Sequence, residues 1–120
     1  MPVRRVKTYT AQTGYVYEYY FVGKRPALPG EPLAPAAEYI FDVSSDRKSI
    51  YAVSIFLSEG AVVRFSSEHR RALSDPEQYA SAKLRLLQAF DEVPDMFQNG
   101  RRLVIDAESL AQLLASVGVD

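Results

Sequence analysis

Residues 38–57 read Glu-Tyr-Ile-Phe-Asp-Val-Ser-Ser-Asp-Arg-Lys-Ser-Ile-Tyr-Ala-Val-Ser-Ile-Phe-Leu, and their reading decides the fold. Tyr39, Phe41 and Val43 alternate with Ile40, Asp42 and Ser44. Tyr51, Val53, Ile55 and Leu57 then alternate with Ala52, Ser54 and Phe56. A period of two on both sides of a polar Ser-Ser-Asp-Arg-Lys turn is the pattern of an antiparallel hairpin. Its second arm is apolar on one face and carries Ile50, Ala52 and Phe56 with Ser54 on the other. A strand covered on both sides belongs in the interior of a sheet.

Upstream, residues 14–24 read Gly-Tyr-Val-Tyr-Glu-Tyr-Tyr-Phe-Val-Gly-Lys. Alternation sets Tyr15, Tyr17, Tyr19 and Phe21 on one face of a strand, with Tyr20 on the other. Residues 6–12 hold Tyr9 between threonines, and Gln-Thr-Gly then turns the chain, so these segments are expected as a first hairpin. Residues 25–37 place Pro26, Pro29, Pro32 and Pro35 three apart around a Pro-Gly pair, which predicts a semi-rigid connecting loop. The spacing also fits one edge of a polyproline II helix, but Arg25 and Glu31 do not bracket the prolines as a docking ligand requires.

Downstream, Ser58-Glu59-Gly60 is read as a turn into a further strand over residues 61–66, with an early helix as the alternative. Ser74-Asp75-Pro76-Glu77 has capping-box spacing with proline in the first turn, and predicts a helix over 75–92 ended by Val93-Pro94. Tyr79, Leu84, Leu86, Leu87, Phe90 and Val93 form its apolar side. Asn99-Gly100 turns into a short strand at Leu103-Val104-Ile105. Asp106 is placed as an N-cap for a second amphipathic helix bearing Leu110, Leu113, Leu114 and Val117 and ended by Gly118. The fold expected is α+β over residues 1–120 as one domain. It has a twisted antiparallel sheet of four to six strands, an N-terminal meander, and two C-terminal amphipathic helices packed on one face.

Composition narrows function without naming it. The 120 residues are 48% hydrophobic, carry a net charge of −1 and contain no cysteine, which excludes disulfides, thiolate chemistry and cysteine-ligated metals. No apolar run approaches the roughly 20 residues that span a bilayer, and the opening Met-Pro-Val-Arg-Arg does not resemble a secretory leader. No membrane association is expected, and a cytoplasmic setting suits the chain. Charge is uneven: Arg4, Arg5, Lys7, Lys24 and Arg25 against Glu18 give residues 1–25 a balance of +4, leaving −5 for the rest.

Motifs for catalysis are weak. His69 is the lone histidine, near Ser66 and Ser67 but without a glycine-flanked nucleophile, and reads as a loop or helix-end residue. Asp91, Glu92 and Asp95 lack the alternating oxygens of a calcium loop, and Arg101 or Arg102 is expected to fold back on them. Gly23-Lys24-Arg25 follows a strand but lacks the spacing of a phosphate loop. No catalytic residue, metal ligand or cofactor is therefore assigned.

The sequence instead predicts a non-enzymatic interaction domain that self-associates as a dimer through an aromatic sheet face. Its candidate binding or interface residues are Tyr15, Tyr17, Tyr19, Phe21, Lys24, Arg25, Arg47 and Lys48. Two alternatives compete. In one, single-stranded nucleic acid stacks on the tyrosines while Arg4, Arg5, Lys7 and the cations just named meet phosphates, a reading the overall acidity disfavours. In the other, the domain holds a small planar molecule.

Overall fold

The hairpin of residues 38–57 lies at the middle of the sheet in a computed structural model that describes residues 5–119; Arg4, counted above among the cations, lies outside them. The elements are β1 (Lys7–Thr10), β2 (Val16–Pro26), β3 (Ala36–Ser44), β4 (Tyr51–Ser58), α1 (Glu59–His69), α2 (Asp75–Glu92), α3 (Met96–Asn99), β5 (Arg102–Ile105) and α4 (Ala107–Ala115). Strand order follows chain order, β1 to β5. The first four strands form an antiparallel meander, and β5 pairs parallel to β4 with Ile55 opposite Leu103. The architecture is α+β, with strands gathered toward the N-terminus and helices toward the C-terminus.

One sheet face carries the core. Tyr17, Tyr19, Tyr39, Phe41, Val43, Val53, Ile55 and Leu57 are buried beneath Leu86, Phe90 and Leu110 from the helices. The Phe90 ring stacks on Tyr17 with centroids 4.2 Å apart and planes 5° apart. Asp91, one residue on, accepts from the Tyr9 hydroxyl at 2.7 Å and from the Gln12 amide at 2.9 Å. The first hairpin, turned at Gly14 (φ 92°), is thereby fastened to the end of α2.

The opposite face is polar and locally organised. Arg25 bonds Glu38 at 2.9 Å, the Ser54 hydroxyl donates to the same carboxylate at 2.7 Å, and the Tyr20 hydroxyl donates to Asp42 at 2.6 Å. Burial pushes the Glu38 carboxyl up, but Arg25, Ser54 and Arg102 outweigh it and hold the pKa below its ordinary value. Phe56 also points to this side yet is buried, because the Arg102 guanidinium sits 4.9 Å above its ring and is held there by Glu31 of the proline segment. The second face of β4 is covered only at Phe56: Ile50 and Ala52 are exposed and Ser54 is half-buried, so the expected cover on both sides holds for the end of the strand alone.

Several expectations change. Residues 61–66 are helical, not extended: Ser58 caps α1 by accepting from the Ala61 amide, and Ala61 and Phe65, four apart, are the buried positions. The helical face outweighs the β-branched Val62 and Val63. The chain has four helices among the described residues where two were expected, and β5 makes the sheet mixed. The proline loop is confined to residues 27–35. Arg25 and Pro26 continue β2 opposite Glu38 and Ala37, and the Ala27 amide donates to the Ala36 carbonyl. Arg101 and Arg102 do not return to the carboxylates after α2. Arg101 donates to the Ala52 carbonyl and Arg102 pairs with Glu31, since β5 carries both toward the sheet.

The two predicted helices keep their caps. Ser74 and Glu77 form a reciprocal capping box, and Asp106 accepts from the Ser109 amide at 2.8 Å. Arg71, with the Ser74 amide, lowers the Glu77 carboxyl to about 2. A depressed folded pKa stabilises above the unfolded value and loses that contribution as pH falls from about 4.5 toward 2. Glu77→Gln is therefore expected to melt below the native protein at pH 7, with the difference closing by about pH 2, as followed by circular dichroism. Phe90→Ala should cost about 3–5 kcal/mol in urea unfolding, because the cavity opens under the tyrosine strand.

Candidate functional site

β2 is much longer than β1, and the difference leaves an unpaired strand edge. β2 spans eleven residues and pairs with β3 from Glu18 to Pro26, whereas the four residues of β1 reach only residues 16–19, ending at Lys7 opposite Tyr19. Residues 21–26 have no strand on their outer side among the described residues. Backbone alternation shows which groups lie open. The Ala11 amide donates to the Tyr15 carbonyl, so Tyr15, Tyr17 and Tyr19 turn their backbone groups toward β1 and Phe21 turns its own outward.

From the other end, the bond from Ala27 to Ala36 directs Arg25 toward β3 and Lys24 outward. A bulge between Phe21 and Gly23 reconciles the two phases by placing an extra residue at Val22. Phe21 and Lys24 each present an N–H and a C=O outward, and Pro26 is tolerated because its missing donor also points away from the ladder.

Two clefts flank this edge. One, of about 450 Å³, is lined by Arg5, Lys7, Tyr19, Tyr20, Phe21, Val22 and Tyr79. The other, of about 660 Å³, is lined by Lys24, Arg25 and Pro26 of β2, by Ala36, Ala37 and Leu57, by Glu59, Gly60, Val62 and Val63 of α1, and by Gln78. Successive parts of β2 and the neighbouring residues Tyr79 and Gln78 of α2 connect the two into one strip. Its apolar surface is real: Phe21 is 40% exposed, Val22 53% and Val63 67%. The Phe21 ring meets Tyr79 edge-on at 5.0 Å, which fixes its orientation.

The predicted interface residues separate. Tyr17 and Tyr19 are core residues against Phe90, so their ring faces are used by the fold. Burial raises the pKa of both phenols. Tyr15 is exposed in the hairpin, 6.4 Å from Tyr17. Phe21 and Lys24 belong to the edge strip, with the Lys24 ammonium 5.4 Å from the centre of the Tyr39 ring. Arg25 reaches to the opposite face and Glu38. Arg47 (φ 63°) and Lys48 lie in the β3–β4 turn near Glu18, where their amides bond Ser44 and Asp46. That turn is roughly 26 Å along the strand from Pro26, so the eight residues do not form one surface.

The chemistry-bearing residues considered from sequence serve the fold. His69 stacks on Phe65 at 3.9 Å and its Nδ1 lies 3.0 Å from the Phe65 carbonyl oxygen. Asp95 caps α3, and no group of three or more candidate metal ligands occurs among the described residues. No helix among them is long and apolar enough to cross a membrane. Arg5 and Lys7 were named only as phosphate contacts in the nucleic-acid reading, and Val22, Tyr79 and Gln78 were absent from the predicted site. The signal for these last three was available only as the unequal lengths of the first two strand segments and a glycine inside the second.

Comparison with protein-family models, with curated proteins and with solved structures finds no match to this chain.

The Tyr39 hydroxyl is buried beside this strip without a hydrogen-bond partner. Burial raises its pKa while Lys24, by its charge and as the side chain poised to hydrogen-bond the phenol, pulls it down. Because an unsatisfied buried hydroxyl costs about 1–3 kcal/mol, Tyr39→Phe is expected to leave stability unchanged or raise it by roughly 1 kcal/mol in urea unfolding. A loss of stability would reveal a partner for the phenol.

Proposed function

We propose that this chain is a non-enzymatic protein-interaction domain that receives a strand of a partner along the free edge of β2. The observation that carries the reading is that the outward backbone groups of Phe21 and Lys24 meet no strand among the described residues and lie between two clefts, with exposed Phe21, Val22 and Val63 beside them. An open edge is a template for a further strand, supplying affinity through backbone bonds and selectivity through alternate side chains. A cytoplasmic setting, suggested by a chain without cysteine, belongs to the same proposal.

Self-association through the tyrosine face loses its basis in geometry, since α2 already occupies that face at Tyr17 and Tyr19. A dimer would have to use another surface, of which the β2 edge is the most strand-like. Stacking of single-stranded nucleic acid loses the same two rings, and Arg47 and Lys48 lie at the far end of the sheet from Lys24. Small-molecule binding retains the 660 Å³ cleft, which falls in the usual size range of ligand pockets.

Photo-crosslinking in the host cell tests the proposal. The photoreactive residue p-benzoylphenylalanine replaces Val22 on the edge or, as a control, the exposed Phe97 on α3. Adducts to another protein are expected at position 22, and Lys24→Pro should abolish them by removing an outward donor. Equal labelling at both positions, or labelling indifferent to Lys24→Pro, refutes edge docking.

A further inference from the structure

We infer that the cleft between β2, β3 and α1 holds a short zwitterion of dipeptide size, with its ammonium at Glu59 and its carboxylate at Lys24. Such a site stands whether or not a strand docks on β2. The cleft measures about 660 Å³, within the range of ligand sites. Along β3, Ala37, Tyr39, Phe41 and Val43 share the helix-facing side. The last three fill their lane beneath the helices, whereas Ala37 carries only a methyl group and leaves space between Pro26 and Leu57, its neighbours on either side. Gly60 adds no side chain at the start of α1, where a Cβ would meet only the Ser58 hydroxyl oxygen, at 3.5 Å.

Two opposite charges line this cleft without meeting. Lys24 and Glu59 both border it, and neither belongs to an ion pair among the described residues. Arg25, the other cation at its border, is engaged by Glu38 on the opposite face. The Lys24 ammonium lies against the Tyr39 ring and phenol, which bring it no negative charge. Register sets the span between the two. Lys24 is level with Tyr39 on β3, and Glu59 follows Ser58 of β4, which is level with Ala36. Two strand spacings across and three residues along place the two backbones about 14 Å apart. Ala37 and Leu57 lie between them, with Val62 of α1 beside the same space.

A ligand of one sign would match one wall and be repelled by the other, whereas a molecule carrying both signs matches both. Its charges must stand well apart. An extended dipeptide with a hydrogen bond at each end spans about 13 Å, while a free amino acid carries both charges on one carbon. Gln78 supplies a further polar group. Its side-chain nitrogen donates to the Leu73 carbonyl, which leaves its side-chain oxygen as an acceptor for the peptide N–H of the ligand. The apolar stretch of Ala37, Leu57 and Val62 suits aliphatic side chains on that ligand.

The test titrates the dipeptide Val-Leu into isotopically labelled protein in four forms, free, N-acetylated, C-amidated and blocked at both ends, and follows the backbone amides by NMR. The free form is expected to shift the Lys24, Gly60 and Val62 amides. It should bind about three- to fivefold more tightly than either singly blocked form, the worth of one exposed ion pair, with the doubly blocked form weakest. Glu59→Gln should erase the advantage of the free form over the acetylated one, and Lys24→Gln its advantage over the amidated one, because each substitution removes the partner that one blocking group denies. Free leucine should bind more weakly than Val-Leu, since it cannot reach both walls. Equal affinity for the four forms, or an advantage that survives both substitutions, overturns the zwitterion. Leucine binding as tightly as the dipeptide overturns the two-wall span. Absence of shifts at Lys24, Gly60 and Val62 overturns the cleft as a ligand site, and leaves edge docking to be judged by crosslinking at Val22.

Discussion

The contact on which the rest of the structure depends is the flat stacking of Phe90 on Tyr17, 4.2 Å apart. It joins the last turn of α2 to the first hairpin, and Asp91 closes the same junction through Tyr9 and Gln12. An antiparallel sheet with one apolar face must bury that face against another layer. With α2 fixed at its C-terminal end on β1 and β2, its N-terminal half runs toward Phe21 and Lys24. Tyr79 and Gln78 thereby become walls of the clefts beside the open edge. The position of the candidate site follows from where the core needed its helix.

The two sides of the sheet solve different problems. The helix side is apolar and closely filled, with aromatic rings meeting in tilted and edge-on geometries from Tyr9 to Tyr79. The other side buries a carboxylate, Glu38, and satisfies it with Arg25 and Ser54. Removing either partner would leave a buried charge under-bonded. Arg102 and Glu31 draw the proline segment toward Phe56, so this side needs no helix to shield its one buried ring.

Much of this was legible along the chain. Ser74 with Glu77, Pro76 and Val93-Pro94 marked both ends of α2, and Asp106 marked the start of α4, because capping depends on residues within one turn. The hairpin of β3 and β4 followed from alternation and a polar turn. The early helix α1 did not, since its Ala-Val-Val segment satisfies a strand pattern as readily as a helical one over so few residues. Arg101 and Arg102 were assigned to nearby carboxylates, but a strand between them and the helix end redirected both.

The sequence by itself determined that Tyr15, Tyr17, Tyr19 and Phe21 share one face of a strand, because side chains alternate across any strand. Only the tertiary structure decided what that row does. α2 reaches Tyr17 and Tyr19 and makes them core, passes over Phe21 with Tyr79, and leaves Tyr15 in the turn. It likewise decided that β1 stops at Lys7 while β2 continues to Pro26. Burial and an unpaired edge are properties of neighbours distant in sequence, and no local period encodes which neighbour arrives or where it ends.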